Sequence, residues 1–178
     1  MVEDIAKILI TEEEIKNRVA ELGKQITEDF HGEDIVVIGL LKGCFMFIAD
    51  LMRAIDANVA VDFMVVSSYG SGIVSSGEIK VKKDYSIDIE GKNVLVIDDI
   101  LDTGRTLAFV KDYLTVKSPK KVRICTLLDK PERREVEVHS DYLGFTIPDK
   151  FVVGYGLDYA QKYRNLPYIG QVIIDEKQ

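Results

Sequence analysis

The segment VLVIDDILDTGRTL, residues 94–107, decides the fold and contains the first candidate site. It starts with four consecutive apolar residues, VLVI, which is typical of a strand buried on both faces. A polar turn follows, and then Leu107, Val110 and Leu114 recur at helical spacing. A strand, a turn and a helix in this order predict one unit of an α/β fold with a parallel sheet.

The same alternation recurs along the rest of the chain. Thr11 and Glu14 have the spacing of a capping box, and apolar residues follow at three- and four-residue steps, so we expect a helix over about 12–29. Six other apolar segments have strand or helix character: IVVIGLL (35–41), FMFIADLMRAI (45–55), VAVDFMVVSS (59–68), KVRICTLLD (121–129), FVVGY (151–155) and YIGQVII (168–174). We therefore predict a mostly parallel sheet flanked by helices, with the last two segments as short added strands.

Composition and charge exclude several classes of protein. With 178 residues, one domain over 1–178 is expected, and the net charge of −7 argues against a broad nucleic-acid-binding surface. Cys44 and Cys125 lie in apolar runs, which favours buried reduced thiols. The longest apolar run, 35–41, is far below the roughly 20 residues that span a bilayer. We expect a cytoplasmic protein with no membrane and no nucleic-acid partner.

The polar turn after VLVI has the residues of an anion site. Ligands of open α/β sheets bind at the carboxyl ends of strands, and the two carboxylates that follow this strand could accept hydrogen bonds from a diol or bind Mg²⁺. The next five residues could hold a phosphate on helix N–H groups and hydroxyls, with a glycine that permits close approach. These candidates are Asp98, Asp99, Asp102, Thr103, Gly104, Arg105 and Thr106. The alternative is that Asp102 or Thr103 caps an ordinary helix beside a solvated strand end.

VLVIDDILDTGRTL resembles the phosphoribosyl-pyrophosphate (PRPP) binding motif of the type I phosphoribosyltransferases. Four more stretches follow the order of the hypoxanthine-guanine phosphoribosyltransferase family: LLKG (40–43), SSYGSG (67–72), LLDKPERR (127–134) and PDKFVVGYGLDYAQKYRNL (148–166). Together they cover almost the whole chain. The resemblance implies the type I phosphoribosyltransferase fold, with a twisted sheet and a small hood built from about 1–12 and 145–178.

The resemblance also implies a reaction, the Mg²⁺-dependent transfer of a phosphoribosyl group from PRPP to hypoxanthine or guanine. It assigns the ribose diol and the metal to Asp98 and Asp99, and the ribose phosphate to 102–106. Asp102 is further assigned as the catalytic group that accepts a proton from the purine's imidazole ring. The family usually has Glu at the position of Asp98, which is one methylene longer.

The leaving pyrophosphate is assigned by resemblance to a second loop. Leu41, Lys42 and Gly43 match the family's pyrophosphate loop, in which a non-proline cis peptide joins the first two residues. Arg164 is assigned to the same pyrophosphate. The residues alone favour a plain strand-to-helix turn at 41–43 and an ordinary surface charge at Arg164.

The purine is assigned to the third group of residues. Lys130 can only donate hydrogen bonds, so it suits a 6-oxo group and is mismatched with the 6-amino group of adenine. Phe151 is assigned to stack on the base, Val152 to contact its edge through backbone groups, and Asp158 to the same site and a second Mg²⁺. Without the resemblance, FVV predicts a buried strand and Asp158 a surface charge.

A lid and two rival functions complete the expectations. The Ser- and Gly-rich segment 67–77 predicts either a surface connection or a lid, to which the resemblance assigns Ser68 and Tyr69. The family implies a homodimer or homotetramer. A transferase preferring xanthine is the nearest rival, since Lys130 tolerates any 6-oxopurine. A PRPP-sensing regulator that binds nucleic acid is disfavoured by Asp102, by the net charge and by the lack of an added domain.

Overall fold

The computed structural model describes residues 5–68 and 79–172. Within these residues lie three helices, α1 (Glu12–Phe30), α2 (Phe45–Ala54) and α3 (Arg105–Thr115), and a 3₁₀ turn at Pro131–Arg133. The strands are β1 (Ile5–Ile10), β2 (Ile35–Leu40), β3 (Val59–Ser68), β4 (Ile79–Lys83), β5 (Asn93–Leu101), β6 (Lys121–Asp129), β7 (Tyr142–Thr146), β8 (Val152–Val153) and β9 (Ile169–Val172).

Six strands form a mixed, mostly parallel sheet in the order β4-β3-β2-β5-β6-β7. All neighbours in this sheet run parallel except β3 and β4, which are antiparallel. A second sheet, β1-β9-β8, is antiparallel and joins the two ends of the described chain. The predicted α/β class and parallel sheet are confirmed, and β5, which precedes the candidate site, lies in the middle of the sheet.

Helix α1 begins where the capping box predicts. Glu14 N–H donates to Thr11 Oγ1 at 3.3 Å, and Thr11 N–H donates back to Glu14 Oε2 at 2.8 Å. Such a cap typically stabilises a helix by about 1 kcal/mol. Its stripe at three- and four-residue steps, including Leu22 and Ile26, is buried, so α1 packs through one face as predicted.

The core has two layers, one on each face of the parallel sheet. Successive residues of β2 alternate between them: Val37 packs in the layer that contains α1 and α2, and Val36 in the layer that contains α3. Strands buried on both faces explain why the sequence shows continuous apolar runs. Cys44 and Cys125 are buried free cysteines whose thiol pKa burial raises, as expected for reduced thiols.

Strand β5 is longer than the predicted VLVI. It continues through Asp98 and Asp99 to Leu101, because β6 runs alongside and pairs with it as far as Asp129. The two acids therefore belong to the last part of a central strand and are not in the turn after it. None of the helices in 5–68 and 79–172 combines the length and the apolar character required to cross a bilayer.

Candidate active site

A cavity of about 250 Å³ lies at the carboxyl end of β5. It is lined by six of the seven residues predicted for the PRPP site: Asp98, Asp99, Asp102, Thr103, Gly104 and Thr106. The seventh, Arg105, does not line the cavity, and its Nε lies 2.6 Å from Glu135 Oε2. The fold thus brings six of the predicted residues together around one cavity, whereas the Arg105 side chain pairs with Glu135.

Helix α3 presents its first backbone amides to this cavity. The helix begins at Arg105 and is preceded by Gly104, whose carbonyl accepts the hydrogen bond from Ala108 N–H at 2.9 Å. The amides of Thr106 and Leu107 precede the first residue that can donate within the helix, and both residues line the cavity. The capping position is Gly104 and neither Asp102 nor Thr103, although Thr103 Oγ1 accepts a hydrogen bond from Arg105 N–H at 3.4 Å.

Gly104 has a structural reason in addition to the close approach of a phosphate, which stays a prediction. Its φ of 87° lies in the left-handed region that favours glycine. A Cβ built there would lie 2.7 Å from Val138 Cγ1 and 2.9 Å from the Val136 carbonyl oxygen. The space that glycine leaves open is therefore filled by the segment 134–138 of the protein, which packs against the start of α3.

Asp98 and Asp99 form a tightly coupled acidic pair. Asp98 is buried, and its Oδ1 accepts a hydrogen bond from Asp99 N–H at 3.0 Å. Burial raises the pKa of Asp98 well above its ordinary value, and the neighbouring Asp99 charge adds to the effect. Burial also raises the pKa of Asp99. A cation or a set of hydrogen-bond donors from a ligand would favour the charged form of this pair.

The loop 41–43 packs against that pair. The peptide bond between Leu41 and Lys42 is cis, as the resemblance implies. A Cβ added to Gly43 would overlap the Asp99 carboxylate, so the loop and β5 are in direct contact. A Cβ at Gly156 would in turn overlap the Gly43 carbonyl oxygen. Glycines thus allow three separate parts of the chain to meet at the acidic pair.

Arg164 and Lys42, both predicted to bind pyrophosphate, converge on one amide side chain. Gln161 Oε1 accepts from Lys42 Nζ at 3.4 Å and from Arg164 NH2 at 3.3 Å. Arg164 also donates to the Gly156 carbonyl at 2.7 Å and pairs with Asp158 Oδ1 at 2.7 Å. The second oxygen of Asp158 accepts from Gln161 N–H at 2.8 Å, so both carboxylate oxygens already have protein partners.

Lys130 lies beside the end of β5. It is only 7% exposed, and its N–H donates to the Leu101 carbonyl at 2.9 Å, which fixes it beside the end of β5. Its Nζ lies 3.8 Å from Asp149 Oδ1. Because this ion pair is loose, the ammonium group can still donate a hydrogen bond to a ligand oxygen.

The segment FVV divides into an exposed ring and a buried strand. Phe151 is 42% exposed and contacts Tyr159 edge to face, with ring centroids 5.4 Å apart. Val152 and Val153 are buried and form β8. The prediction of a buried strand is therefore confirmed for the two valines. The ring of Phe151 is exposed enough to stack on a flat ligand.

Asp102, the predicted proton acceptor, contacts two adjacent arginines. Its Oδ1 is buried and lies 2.8 Å from Arg133 Nε, although among the described residues no hydrogen-bond donor is aligned on it. Its backbone carbonyl accepts a hydrogen bond from Arg134 NH1, and Arg134 NH2 bonds Asp129. Arg133 NH1 also lies 3.6 Å from Asp149 Oδ1.

The family model of the phosphoribosyl transferase domain matches residues 8–160. The chain belongs to this family. A hypoxanthine phosphoribosyltransferase of Escherichia coli (strain K12) is 55% identical over 94% of this chain and 96% of the relative. A crystal structure of a hypoxanthine-guanine phosphoribosyltransferase from Bacillus anthracis has a TM-score of 0.91 at 52% identity, covering 95% and 99% of the two chains. A crystal structure of a hypoxanthine phosphoribosyltransferase from Staphylococcus aureus has a TM-score of 0.92 at 49% identity, covering 96% of this chain and 92% of that one.

The predicted lid lies largely beyond what the structure describes. In this phosphoribosyltransferase, Ser68 is the last residue of β3 and its backbone pairs with Ile79. Tyr69 lies outside the described residues. The assignment of Ser68 and Tyr69 to a lid therefore stays a prediction.

Three residues of the site in this phosphoribosyltransferase were not singled out from the sequence. Two of them, Arg133 and Asp149, connect Asp102 to Lys130. The third, Gln161, connects Lys42 to Arg164. Arg133 follows Lys130 by three residues, the span of one 3₁₀ turn, and this spacing was the available signal. Asp149 and Gln161 gave no comparable signal, because the partners of Asp149 and the Lys42 partner of Gln161 lie in other segments of the chain.

Proposed function

We propose that this chain transfers the phosphoribosyl group of PRPP to hypoxanthine or guanine, giving IMP or GMP and pyrophosphate. The single observation that carries the proposal is the connection between Asp102 and Lys130. Asp102, which lines the cavity, contacts Arg133, Lys130 contacts Asp149, and Arg133 and Asp149 contact each other. One purine could thus reach a proton acceptor and a donor for its 6-oxo group together. The names of two similar relatives agree with this substrate class.

The ribose phosphate would bind to the start of α3. There the first amides of the helix and the hydroxyls of Thr103 and Thr106 supply donors, and the helix dipole favours an anion. Asp98 and Asp99 would accept hydrogen bonds from the ribose diol at the base of the same cavity. Phosphate and diol would then be held by separate groups, so the carboxylates need not face the phosphate.

Pyrophosphate would bind where Lys42 and Arg164 meet. Both cations now contact the neutral Gln161 amide at long hydrogen-bond distances, so an anionic ligand could replace it as their acceptor. The loop that touches Asp99 would add the backbone N–H groups of Lys42 and Gly43, whereas the Leu41 N–H already donates to the Met64 carbonyl at 2.9 Å. This arrangement puts the leaving group beside the diol site.

The purine would lie between Lys130 and Phe151. Lys130 would donate to the 6-oxo group, Phe151 would stack on the ring, and backbone groups of Val152 would contact its edge. Purine N9 then attacks C1′ of the ribose, and the C1′–O bond breaks with its electron pair leaving on pyrophosphate. The ring proton passes to Asp102, so the charges balance.

The residues present fit a Mg²⁺ site completed by the substrate. Asp98 and Asp99 offer the oxygen donors that Mg²⁺ prefers, and the burial of Asp98 and partial burial of Asp99 make a nearby cation favourable. Within the described residues no three His, Cys, Asp or Glu side chains form a ready-made metal site. Both Asp158 oxygens already have partners, so it would act through water. When bound, Mg²⁺ would neutralise charge on the pyrophosphate.

Four further features are part of the proposal. The chain would form one domain over 1–178, with a hood from about 1–12 and 145–178 that includes the β1-β9-β8 sheet. Ser68 and Tyr69 would belong to a lid. The protein would act in the cytoplasm without nucleic-acid or membrane partners, as a homodimer or homotetramer. Light scattering on the purified protein tests the last statement.

The test is a panel of bases. The purified chain is mixed with PRPP, Mg²⁺ and, separately, hypoxanthine, guanine, xanthine, adenine or uracil, and pyrophosphate release is measured while the nucleotide is identified by mass. We expect release with hypoxanthine and guanine and background with adenine and uracil. Omitting Mg²⁺ should abolish release.

A preparation of Asp102→Asn made in the same way is the matched control, because it reveals any contaminating transferase from the expression host. Release with none of the five bases contradicts the proposed function. Release with xanthine alone favours the transferase for that base.

A further inference from the structure

Arg133 lies in the centre of a chain of alternating charges that crosses the candidate purine site. Its Nε lies 2.8 Å from Asp102 Oδ1, and its NH1 lies 3.6 Å from Asp149 Oδ1. Asp149 Oδ1 lies 3.8 Å from Lys130 Nζ. The order Lys130, Asp149, Arg133, Asp102 therefore alternates positive and negative charge from one proposed purine contact to the other.

The contact with Arg133 distinguishes the two carboxylate oxygens of Asp102. Oδ1 is buried at Arg133, whereas the side chain as a whole is 39% exposed and lines the cavity. The exposed part must belong to the other side-chain atoms, which include Oδ2. Arg133 thus contacts one oxygen and leaves the second available to a ligand N–H.

The two ends of Asp102 are held by successive residues of one short segment. Arg133 contacts its side chain, and Arg134 donates to its backbone carbonyl. Both arginines lie three and four residues after Lys130: Arg133 ends the turn Pro131–Arg133, and Arg134 is the next residue. Since half-exposed ion pairs add little to stability, the value of this one lies in the orientation that it imposes.

We propose that Arg133 is a positioning residue, which holds Asp102 by one oxygen so that the other faces the ring proton of the purine. The proposal rests on the proposed function and deepens it. Because Asp149 contacts both Arg133 and Lys130, the same guanidinium also sets the distance between the groups that meet the imidazole ring and the 6-oxo group. A misplacement of about 1 Å at such a site can cost roughly 10²-fold in rate.

The test is a double-mutant cycle on kcat with hypoxanthine at saturating PRPP, using Arg133→Ala, Asp102→Asn and the double variant. We expect Arg133→Ala to lower kcat roughly 10-fold, with the dissociation constant of PRPP within about twofold of wild type. In the Asp102→Asn background the same change should alter kcat less than about twofold, since Arg133 acts through Asp102. Arg133→Lys should recover part of the lost rate.

Several outcomes overturn the proposal. They are an unchanged kcat in Arg133→Ala, an equal cost in both backgrounds, or a loss expressed mainly in PRPP binding. Arg53→Ala removes an exposed arginine that pairs with Asp50 on α2, away from the site, and should leave kcat unchanged.

A second measurement does not depend on activity. In crystal structures of the wild type and Arg133→Ala, we expect one Asp102 orientation beside Arg133 in the former and a different or mixed orientation in the latter. The same Asp102 orientation in both contradicts the proposal. If Arg133→Ala does not fold, Arg133→Lys and Arg133→Gln are compared instead. A wild-type chain inactive with every base contradicts the proposed function, whereas the crystal comparison still judges Arg133.

Discussion

In the proposed function, the choice of purine depends on Lys130. An ammonium group buried to 7% exposure is costly to desolvate, and its Asp149 partner at 3.8 Å compensates only loosely. A 6-oxo group would supply the missing acceptor, and a 6-amino group would leave a buried charge facing a donor. In the proposed function, Lys130 would therefore select by penalising the wrong base as much as by binding the right one.

We expect Lys130→Ala to lower kcat/KM for hypoxanthine roughly 10- to 100-fold, the scale of one hydrogen bond to a charged group. Activity with adenine should change little, so the preference for 6-oxopurines narrows. Steady-state kinetics with both bases measures this ratio. Lys111→Ala, at an exposed position of α3, is the control and should keep the wild-type ratio. A preserved preference in Lys130→Ala would mean that another group selects the base.

Asp102 can be tested by a change that keeps its shape. Asp102→Asn retains an oxygen for Arg133 but removes the negative charge that accepts a proton. We expect kcat with hypoxanthine to fall roughly 10²-fold or more, the usual scale for a general base, with PRPP affinity nearly unchanged. Calorimetric titration of PRPP separates the two quantities. Wild-type turnover in this variant would remove Asp102 from the role of base.

At the scale of elements, the sequence predicted those parts whose patterns are long and local. Helix α1, with its capping box, and the central strands β2, β5 and β6 have enough periodic or continuous apolar residues to be recognised alone. Three strands, β1, β4 and β7, were not predicted. Each is short and partly exposed, and each forms only because a partner strand lies beside it.

For the candidate site as well, the sequence indicated individual residues but not the contacts between distant segments. Motif resemblance selected the residues that a ligand would touch, such as Asp98, Asp102 and Lys130, because the chemistry of their side chains is legible in the sequence. The bridging contacts of Arg133 and Asp149 depend on the packing of segments far apart in the chain. The packing of Gly104 against Val136 and Val138 was missed for the same cause, since both valines lie more than 30 residues further on.

The contact between loop 41–43 and β5 has a direct test. In Gly43→Ala the added methyl group would overlap the Asp99 carboxylate, so either that side chain or the loop must move. We expect PRPP affinity to fall at least roughly 10-fold, because the pyrophosphate and diol groups would no longer match one substrate. Calorimetric titration of PRPP in the presence of Mg²⁺ measures it.

Gly91→Ala is the control for this change. Gly91 has a φ of 65° and no atom within 4 Å of an added Cβ, so the substitution strains the backbone far from the site. It should lower stability by about 1 kcal/mol and leave PRPP affinity unchanged. Wild-type affinity in Gly43→Ala would show that the spacing of loop and strand does not matter for binding.

At the scale of the whole molecule, Asp62 ties the connection between β4 and β5 to β3. Its Oδ2 accepts hydrogen bonds from Ser86 N–H at 2.6 Å, Ser86 Oγ at 2.8 Å and Ile87 N–H at 3.2 Å. Lys83 Nζ lies 3.8 Å from its other oxygen. These donors favour the charged carboxylate, and the backbone N–H of Ser86 contributes most to lowering the pKa of Asp62 to about 2.

A pKa lowered on folding makes stability depend on pH in a definite direction. The folded state binds the Asp62 proton less readily than the unfolded chain, whose pKa is about 3.9. The stabilisation is therefore complete above about pH 5 and is lost as the pH falls through the folded value near 2. A shift of this size corresponds to roughly 2 kcal/mol.

We expect Asp62→Asn to be less stable than the wild type near pH 6, with a gap that narrows as the pH falls from about 5 towards 3, because only the wild type loses the charged carboxylate. Urea unfolding at a series of pH values measures the gap. Asp112→Asn removes an exposed carboxylate from α3 and should reproduce the wild-type dependence. A stability gap that stays constant with pH would mean that the hydrogen bonds of Asp62 stabilise its charged and neutral forms equally. The contact with Ser86 would then not depend on the charge of the carboxylate.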